Sequence, residues 1–394
     1  MASLLVKSER SRSSRTSSTD SSCLQGLEVQ PVSTTAAMRV VRMVAASCHR
    51  RRHVPTGVPL GFGHRYEWGM RVLIAPQEFK GTLTASEAAR ELSRRFEGHE
   101  LELFPLADGG PGTLDLVSSR VAGAQLRESE VQDPLGRVVT ARWCELNGGE
   151  VALIESAEAA GLWRVAPSDR DAMKASTFGV GQLIHAALHA GCSRVVVTVG
   201  GSATTDGGVG AAQALGVRFD DEAIDLRGRA HRLARVQLEV WTDVRNPLLG
   251  ADGAARVYAK QKGASDEQIE RLELRLAKLA RLHGGDSHTR PGAGAAGGLA
   301  WGLEAFCGAS LAPGFLRLAE LTRLEDAIRA ADLIVTGEGR LDAQSTFEKG
   351  PWALAQLARR HGKRVVAVVG ENALDEATWS QRFDEVTLLT TSTY

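Results

Sequence analysis

The sequence has few cysteines, no long hydrophobic run and no excess of charge, and each absence excludes a class of protein. The five cysteines among 394 residues are widely separated and include no Cys-x-x-Cys pair, so neither a zinc site nor a disulfide framework is indicated. No apolar stretch approaches the roughly 18 to 20 residues of a membrane-spanning helix. The 47 basic side chains balance 47 acidic ones, which provides no footprint for nucleic acid or an acidic membrane surface. We therefore expect a cytoplasmic protein.

Several catalytic motifs are also missing. The sequence contains no Walker A motif and no protein-kinase signature set, which argues against the commonest nucleotide-binding families. It contains no G-x-S-x-G elbow and no H-E-x-x-H spacing, so a serine hydrolase or a zinc peptidase lacks support. His185 and His189 lie four apart in a predicted helix, where a packed or exposed face is the simpler interpretation.

Composition changes at Met70. Residues 1–69 hold ten basic and four acidic side chains, are rich in serine and lack sustained periodicity, so we expect this extension to be disordered. Three explanations are open: an organellar transit segment, a nucleic-acid-binding tail, or a translation start placed upstream of the true one. We favour the last, because Met70-Arg-Val-Leu-Ile-Ala is a natural beginning for a buried strand.

From Met70 onward, strand and helix patterns alternate, which predicts an α/β fold. The predicted strands are short β-branched or leucine-rich runs of the kind buried in a parallel sheet, at 72–75, 101–106, 151–154, 195–199, 333–335, 365–369 and 386–389. The predicted helices lie between them, at 86–96, 180–190, 264–282, 298–306 and 352–360.

Five blocks rich in glycine and carboxylate carry most of the functional signal, and several follow a predicted strand. Glycine turns at such positions present backbone N–H groups to anions, so we expect a phosphate-handling site. The blocks are Ala75-Pro-Gln-Glu-Phe-Lys-Gly81, Ala107-Asp-Gly-Gly-Pro-Gly112, Gly200-Gly-Ser-Ala-Thr-Thr-Asp-Gly-Gly208, Gly292-Ala-Gly-Ala-Ala-Gly-Gly298 and Thr336-Gly-Glu-Gly-Arg-Leu-Asp342.

The block from Gly200 to Gly208 lies between a predicted strand and a predicted helix. Its glycines would let backbone amides approach a phosphate, and Ser202, Thr204 and Thr205 could add hydroxyl donors. Asp206 could hold Mg²⁺ or accept a proton. The alternative is that the glycines only make a tight turn and Asp206 only caps the helix.

The remaining blocks also have two interpretations each. Gly292-x-Gly294-x-x-Gly297 formally matches the dinucleotide fingerprint but follows no strand, so it is either an anion nest or a site of close packing. The block from Thr336 should emerge at the carboxyl end of a parallel strand. There Glu338 and Asp342 could coordinate Mg²⁺ and Arg340 could hold a phosphate, unless the three form a surface ion network. Lys80 and Asp108 follow the first two predicted strands, near the same edge.

Taken together and in order, the motifs closely resemble the type 1 glycerate kinase family over about residues 70 to 390. Besides the five blocks, the resemblance rests on Asp133-Pro-Leu-Gly136, Asp243-Val-x-Asn-Pro-Leu-Leu-Gly250 and Gln261-Lys-Gly-Ala264. It implies ATP- and Mg²⁺-dependent phosphorylation of D-glycerate, at the 2-hydroxyl, to 2-phospho-D-glycerate. It also implies a discontinuous, doubly wound (flavodoxin-like) parallel-sheet domain of residues 70–110 and 290–394, an inserted α/β domain of residues 111–289, and an active site in the cleft between them.

The resemblance also suggests roles for individual residues. Asp108 or Asp206 would orient or deprotonate the glycerate hydroxyl, and Lys80 and Arg340 would neutralise the transferring phosphoryl group. Glu338 and Asp342 would hold the metal. Substrate and nucleotide contacts are expected from Gly109, Gly110, Gly200, Gly201, Ser202, Thr204, Gly207, Asp243, Lys262, Gly294, Gly297, Gly298 and Lys349.

Departures from the family pattern keep two further hypotheses open. The family usually has Asp where Gln77 stands, Glu at Pro111, Asn at Thr205 and Gly at Glu348, and it continues through closing helices after the last predicted strand. We therefore expect the first domain to be incomplete at its carboxyl end, with an exposed apolar patch. The alternatives are a catalytically disabled nucleotide- or glycerate-binding homologue and a kinase for another small hydroxy acid.

Overall fold

The computed structural model describes residues 69–79, 81–229, 231, 233–343, 345–346 and 350–389. The predicted extension lies outside these ranges except for Gly69, and so do Lys80 and Lys349. The strands are β1 (Arg71–Pro76), β2 (Glu100–Leu103), β3 (Gln125–Gln132), β4 (Val138–Leu146), β5 (Val151–Glu155), β6 (Arg194–Thr198), β7 (Arg218–Phe219), β8 (Ile224–Asp225), β9 (Gln237–Trp241), β10 (Ser310–Ala312), β11 (Leu333–Leu341), β12 (Arg364–Asn372) and β13 (Glu385–Leu388). The helices are α1 (Ala85–Ser93), α2 (Thr113–Arg120), α3 (Ala157–Ala160), α4 (Phe178–Ala190), α5 (Val209–Ala214), α6 (Ala254–Tyr258), α7 (Asp266–His283), α8 (Ala295–Cys307), α9 (Gly314–Leu321), α10 (Leu324–Ala330), α11 (Gly350–Arg360) and α12 (Glu376–Trp379).

One sheet has five strands in the order β2-β1-β11-β12-β13, and every neighbouring pair is parallel. This is the flavodoxin-like order 2-1-3-4-5, in which ligands bind where the strand order reverses, here between β1 and β11. The three central strands β1, β11 and β12 are buried along most of their length, as their continuous apolar runs predict. The predicted α/β class with a doubly wound sheet is confirmed.

The second large sheet has six strands in the order β10-β9-β6-β5-β4-β3. The first four are parallel to one another, whereas β5, β4 and β3 form antiparallel pairs. Helix α4 packs on this sheet and against α5, and α5 in turn contacts α8. The carboxyl ends of β5 and β6 therefore reach the same edge of the sheet, because the two strands are parallel.

Strand β11 is longer than its apolar run indicates. The run ends at Val335, but the strand continues to Leu341 and pairs with β12 as far as Leu341 and Asn372. The block from Thr336 is therefore mostly strand rather than a loop that follows one. Side chains alternate along a strand, so Glu338 and Arg340 lie on one face and Gly337 and Gly339 on the other.

The division into two domains stays a proposal. The structure suggests where the chain would pass from the inserted domain back to the first domain. Helix α8 belongs to the core of the six-stranded sheet, and β10 is the edge strand of that sheet. Helix α9 contributes Phe315 to the core of the five-stranded sheet. We therefore propose that the chain returns to the first domain near residue 313 rather than near residue 290. No helix in the described ranges is long and apolar enough to cross a membrane.

Candidate active site

A cavity of about 950 Å³ opens among residues that follow strands of both large sheets. This volume is at the upper end of the range of small-molecule sites in proteins. Gln77 and Glu78 line it after β1, and Asp108 lines it after β2. Residues of the six-stranded sheet and its connections complete the wall: Glu128, Thr140, Arg142, Glu155, Glu158, Trp163 and Arg164.

Asp108 is the sequence-predicted catalytic residue that the structure places at this cavity. Its Oδ2 accepts a hydrogen bond of 2.8 Å from Nε2 of Gln77, and its Oδ1 accepts one of 3.3 Å from the amide of Gly110. The amide of Leu106 donates to the carbonyl of Pro76, which holds the loop after β2 beside the end of β1. The carboxylate is thus positioned at the carboxyl edge of the parallel sheet, where α/β proteins bind ligands.

The loop that carries Asp108 packs directly against the first glycines of the Gly200 block. A Cβ on Gly200 would lie 2.7 Å from Cα of Gly110, and one on Gly201 would lie 2.8 Å from Cδ of Pro111. Both distances are shorter than real Cβ contacts, so these positions require glycine for close approach of backbone to backbone. Two motifs separated by 90 residues in sequence therefore form one surface.

Asp206 lies elsewhere and is engaged in local structure. Its Oδ2 accepts hydrogen bonds from the amide and the hydroxyl of Thr177, at 2.8 and 2.9 Å, and from the amide of Gly210 at 3.1 Å. Its Oδ1 accepts one of 3.1 Å from the amide of Gly208. Asp206 does not line the 950 Å³ cavity but a separate cavity of about 360 Å³. The geometry favours the helix-capping alternative over a proton acceptor.

Lys262 is hydrogen-bonded to the Gly200 block. Its Nζ donates to Oγ of Ser202 at 3.2 Å and to the carbonyl of Thr204 at 2.5 Å, and the side chain is buried. Burial lowers the pKa of this ammonium to about 7, and the charge of Asp206 opposes the shift. Ser202, Thr204 and Thr205 are buried as well. These side chains do not line the 950 Å³ cavity, and the two hydrogen bonds of Lys262 support the shape of the loop.

The Gly292 block packs against the same loop. Ala296, Gly297 and Gly298 all have positive φ, at 52°, 68° and 87°. A Cβ on Gly297 would collide with the carbonyl of Thr204, and one on Gly298 would lie 2.9 Å from Cα of Gly207. The amide of Gly207 donates to the carbonyl of Gly297 at 3.0 Å. Gly294 is equally confined, by the carbonyl of Pro247. Close packing is therefore the interpretation that the structure favours for this block.

Arg340, near the end of β11, lies in an exposed ion network. Arg340 lies 3.5 Å from Oδ2 of Asp342 and 3.5 Å from Oε1 of Glu371, and its side chain is 57% exposed. Glu338, Arg340 and Asp342 are absent from the lining of the 950 Å³ cavity. Within the described residues, no three His, Cys, Asp or Glu side chains are grouped closely enough to hold a metal ion. Mg²⁺ often takes only one or two protein carboxylates, so the oxygen donors of Glu338 and Asp342 fit it chemically.

Asp243 accepts a hydrogen bond from a distant part of the chain. Its Oδ2 accepts a hydrogen bond of 2.8 Å from the amide of Phe315, near the start of α9. It lines a cavity of about 350 Å³ together with Arg245 and Arg360. This places Asp243 apart from Asp108.

Sequence reasoning missed the charged side chains on the six-stranded side of the cavity. Glu158 is buried, and its Oε1 accepts hydrogen bonds from Nε and Nη2 of Arg142 at 3.0 and 2.6 Å. Nη1 of Arg142 donates to Asp115 at 2.9 Å, and Arg164 lies 3.6 Å from Glu158. This cluster raises the pKa of Arg142, first through its hydrogen bonds to Glu158, whereas burial lowers the pKa of Arg164.

Glu155 is the other missed residue. It ends β5, its side chain is buried, and its Oε2 accepts a hydrogen bond of 3.1 Å from the amide of Leu114. The signal was present in the sequence, because Glu155 follows the apolar run 151–154 as Asp108 follows the run 101–106. Applying the strand-end rule to every predicted strand would have found it.

Comparison with known proteins assigns this arrangement to a family. The model of the glycerate kinase family matches residues 72–393. The chain is 37% identical over 329 residues to glycerate 2-kinase of Escherichia coli, covering 76% of this chain and 85% of that protein. It is 38% identical over 323 residues to glycerate kinase of Halalkalibacterium halodurans, with the same two coverages.

The fold agrees with a solved structure. A crystal structure assigned as glycerate kinase 2 from Salmonella typhimurium superimposes with a TM-score of 0.66 and 37% sequence identity, over 81% of this chain and 90% of that one. The protein is of the α/β class, with a flavodoxin-like sheet and a cavity beyond the ends of its strands. The chain belongs to the glycerate kinase family.

Proposed function

We propose that this protein is a glycerate kinase that transfers the γ-phosphoryl group of ATP to the 2-hydroxyl of D-glycerate, giving 2-phospho-D-glycerate and ADP. The observation that carries the proposal is the placement of Asp108 at a cavity of about 950 Å³ beyond the carboxyl ends of β1 and β2, in a chain of this family. The regiochemistry follows the name of the Escherichia coli relative.

Asp108 is the residue that we propose to orient the acceptor hydroxyl. The Gln77 amide and the Gly110 amide fix both of its oxygens, so the carboxylate presents its remaining lone pairs in one direction. Gly109 and Gly110 provide backbone next to the reacting group. Preorganised groups of this kind supply most of the rate enhancement in phosphoryl transfer.

The remaining roles rest on the family resemblance. Lys80 and Arg340 would neutralise charge on the phosphoryl group, and Lys349 and Asp243 would contact nucleotide or substrate. Glu338 and Asp342 would hold Mg²⁺, which neutralises phosphate charge when it is bound. We propose that Gly200, Gly201, Ser202, Thr204, Gly207, Lys262, Gly297 and Gly298 act through the shape of the loop beside Asp108, because each contacts another of these residues or that loop. Gly294 would act less directly, since it packs against the carbonyl of Pro247.

One observation favours a second candidate, a homologue that binds ligand without turnover. Gln77 stands where the family usually has Asp, and its amide occupies one oxygen of Asp108. A carboxylate at position 77 would instead form a like-charge pair with Asp108, which would favour a bound cation or proton. Turnover by the protein as it exists decides between the two candidates.

The deciding experiment is an assay of the full chain with MgATP and D-glycerate, with the phosphorylated product identified by ³¹P NMR. We expect 2-phosphoglycerate and ADP in equal amounts. Asp108→Asn should lower kcat/KM by about 10² to 10³, because one aligned charge is lost. The exposed Asp252→Asn is the matched control and should be unchanged. Formation of 3-phosphoglycerate would contradict the regiochemistry, and nucleotide binding by a folded but inactive protein would favour the second candidate.

A further inference from the structure

Glu155 combines burial with access to the cavity. Its side chain is only 2% exposed, yet it belongs to the wall of the 950 Å³ cavity. Strand β5, which it ends, lies between antiparallel β4 and parallel β6, so its carboxyl emerges at the carboxyl edge of the parallel part of the sheet. Ligands of α/β proteins bind at that edge.

The carboxyl of Glu155 has no cationic partner. Among the described residues, no Lys, Arg or His nitrogen lies within 4.0 Å of its oxygens, although Arg142 contributes at longer range. The charged groups that face it are Asp115 on α2, Glu158 on α3 and Arg142 on β4. Arg142 is committed to Glu158 and Asp115. A buried carboxyl with this environment has a raised pKa.

Burial, one hydrogen bond and three neighbouring charges set the pKa of Glu155. The pKa of Glu155 is raised to about 8, chiefly by burial, and the hydrogen bond from the amide of Leu114 opposes the shift. Within that net shift, the charges of Glu158 and Asp115 act to raise the pKa and that of Arg142 acts to lower it. A carboxyl poised near the operating pH is suited to accept a proton and then release it.

A purely structural role would not need a carboxyl. The hydrogen bond to the amide of Leu114 uses one oxygen and satisfies one donor in the first turn of α2. A neutral acceptor would satisfy that donor without the cost of burying an ionisable group that lacks an ion-pair partner. Helix α2 follows directly on the loop of Asp108, so the hydrogen bond also ties Glu155 to the site described above.

We infer that Glu155 is the proton acceptor for the substrate hydroxyl, an inference that rests on the proposed kinase function. The O–H bond of the acceptor hydroxyl breaks and its proton passes to a carboxylate oxygen of Glu155. The hydroxyl oxygen forms a bond to the γ-phosphorus of ATP, and the bond from that phosphorus to the bridging oxygen breaks, its electron pair leaving on ADP. Glu155 then releases the proton to water.

Asp108 and Glu155 would have different roles in the same cavity. Asp108 accepts two hydrogen bonds and is held in a fixed orientation, which suits a group that positions the hydroxyl. Glu155 accepts one hydrogen bond and is buried without a cation, which suits a group that exchanges a proton. Carboxylates in contrasting environments commonly divide acid–base roles in this way.

The test compares wild type, Glu155→Gln and the control Glu130→Gln, each as the full chain, from pH 6 to 9.5 with saturating MgATP. Wild-type kcat/KM for D-glycerate should rise with pH and level off above about 8, because the acceptor must be deprotonated. Glu155→Gln should lower kcat by about 10² to 10⁴, leave KM for D-glycerate nearly unchanged and remove the pH-dependent limb. Glu130→Gln should behave as wild type, because Glu130 is exposed and does not line the cavity.

The outcomes are distinguishable. A wild-type kcat/KM that does not change between pH 6.5 and 9 overturns the inference even if Glu155→Gln does not fold. A folded Glu155→Gln protein that keeps the wild-type rate and pH limb, with only a lower Tm, leaves Glu155 as a helix-positioning residue and also overturns it. Absence of turnover by wild type at every pH overturns the kinase proposal and the inference together, whereas the first two outcomes leave the kinase proposal intact.

Discussion

Asp108 and Asp206 show at the residue scale how similar sequence contexts lead to different roles. Each aspartate precedes two glycines, and each follows a predicted strand. The oxygens of Asp206 accept four hydrogen bonds from its own neighbourhood, whereas Asp108 lines a cavity of about 950 Å³. The difference lies in which partners the fold brings to each carboxylate, which the local sequence does not reveal.

We expect Asp206→Asn to act on stability. The amide nitrogen of Asn cannot accept a hydrogen bond, so at least one donor from Thr177, Gly208 or Gly210 is left unsatisfied at a cost of about 1 to 3 kcal/mol. Thermal unfolding should show a lower Tm, while kcat/KM of the remaining folded protein stays near wild type.

Asp252→Asn is the matched control for that variant, because Asp252 is exposed and its carboxylate makes no hydrogen bond among the described residues. It should change neither Tm nor activity. If Asp206→Asn keeps its Tm but loses activity by 10² or more, Asp206 is catalytic and the capping interpretation fails.

At the scale of elements, the glycine blocks serve mainly to bring loops together. Gly200 approaches Gly110, Gly207 approaches Gly298, and a Cβ on Gly208 would lie 2.9 Å from Cα of Gly302. The sequence predicted glycine turns after strands, and this is correct for the Gly200 block. It could not show that the partners of these glycines are other glycines far away in the chain.

Gly200→Ala should damage the site through the neighbouring loop. The new Cβ would lie 2.7 Å from Cα of Gly110, and two backbones cannot both stay in place at that distance. A shift of about 1 Å in the Asp108 loop would lower kcat/KM by about 10². Steady-state kinetics and Tm should be measured side by side.

Gly191→Ala separates this effect from general backbone strain. Gly191 ends α4 with a φ of 94° in open space, so the substitution costs about 1 to 2 kcal/mol without a collision. It should lower Tm and leave kcat/KM unchanged. Equal kinetic losses in both variants would contradict the packing argument.

At the scale of the whole molecule, the cavity is lined by segments from both large sheets. Trp163 lies at its wall with a side chain that is 59% exposed, and the guanidinium of Arg164 lies 4.4 Å from the centre of its ring. A ligand that fills the cavity would remove this indole from water. Binding therefore has an optical signal that does not depend on turnover.

We expect a nonhydrolysable ATP analogue with Mg²⁺ and D-glycerate to shift tryptophan emission to shorter wavelength. Trp163→Phe should remove most of the shift. Trp379→Phe is the control, because Trp379 packs on the core of the five-stranded sheet and does not line the cavity. A shift that persists in Trp163→Phe and disappears in Trp379→Phe would place the binding site elsewhere.

The sequence by itself determined the alternation of strands and helices through apolar periodicity, and the family through its ordered motifs, because both are local properties of the chain. The flavodoxin-like class was implied by the family resemblance. Tertiary structure alone decided the extension of β11 through Arg340, since that strand is completed by pairing with β12. It also decided that Asp206 and Lys262 support a loop, while Asp108 and Glu155 face one cavity. The physical reason is that burial and hydrogen-bond partners come from residues distant in sequence.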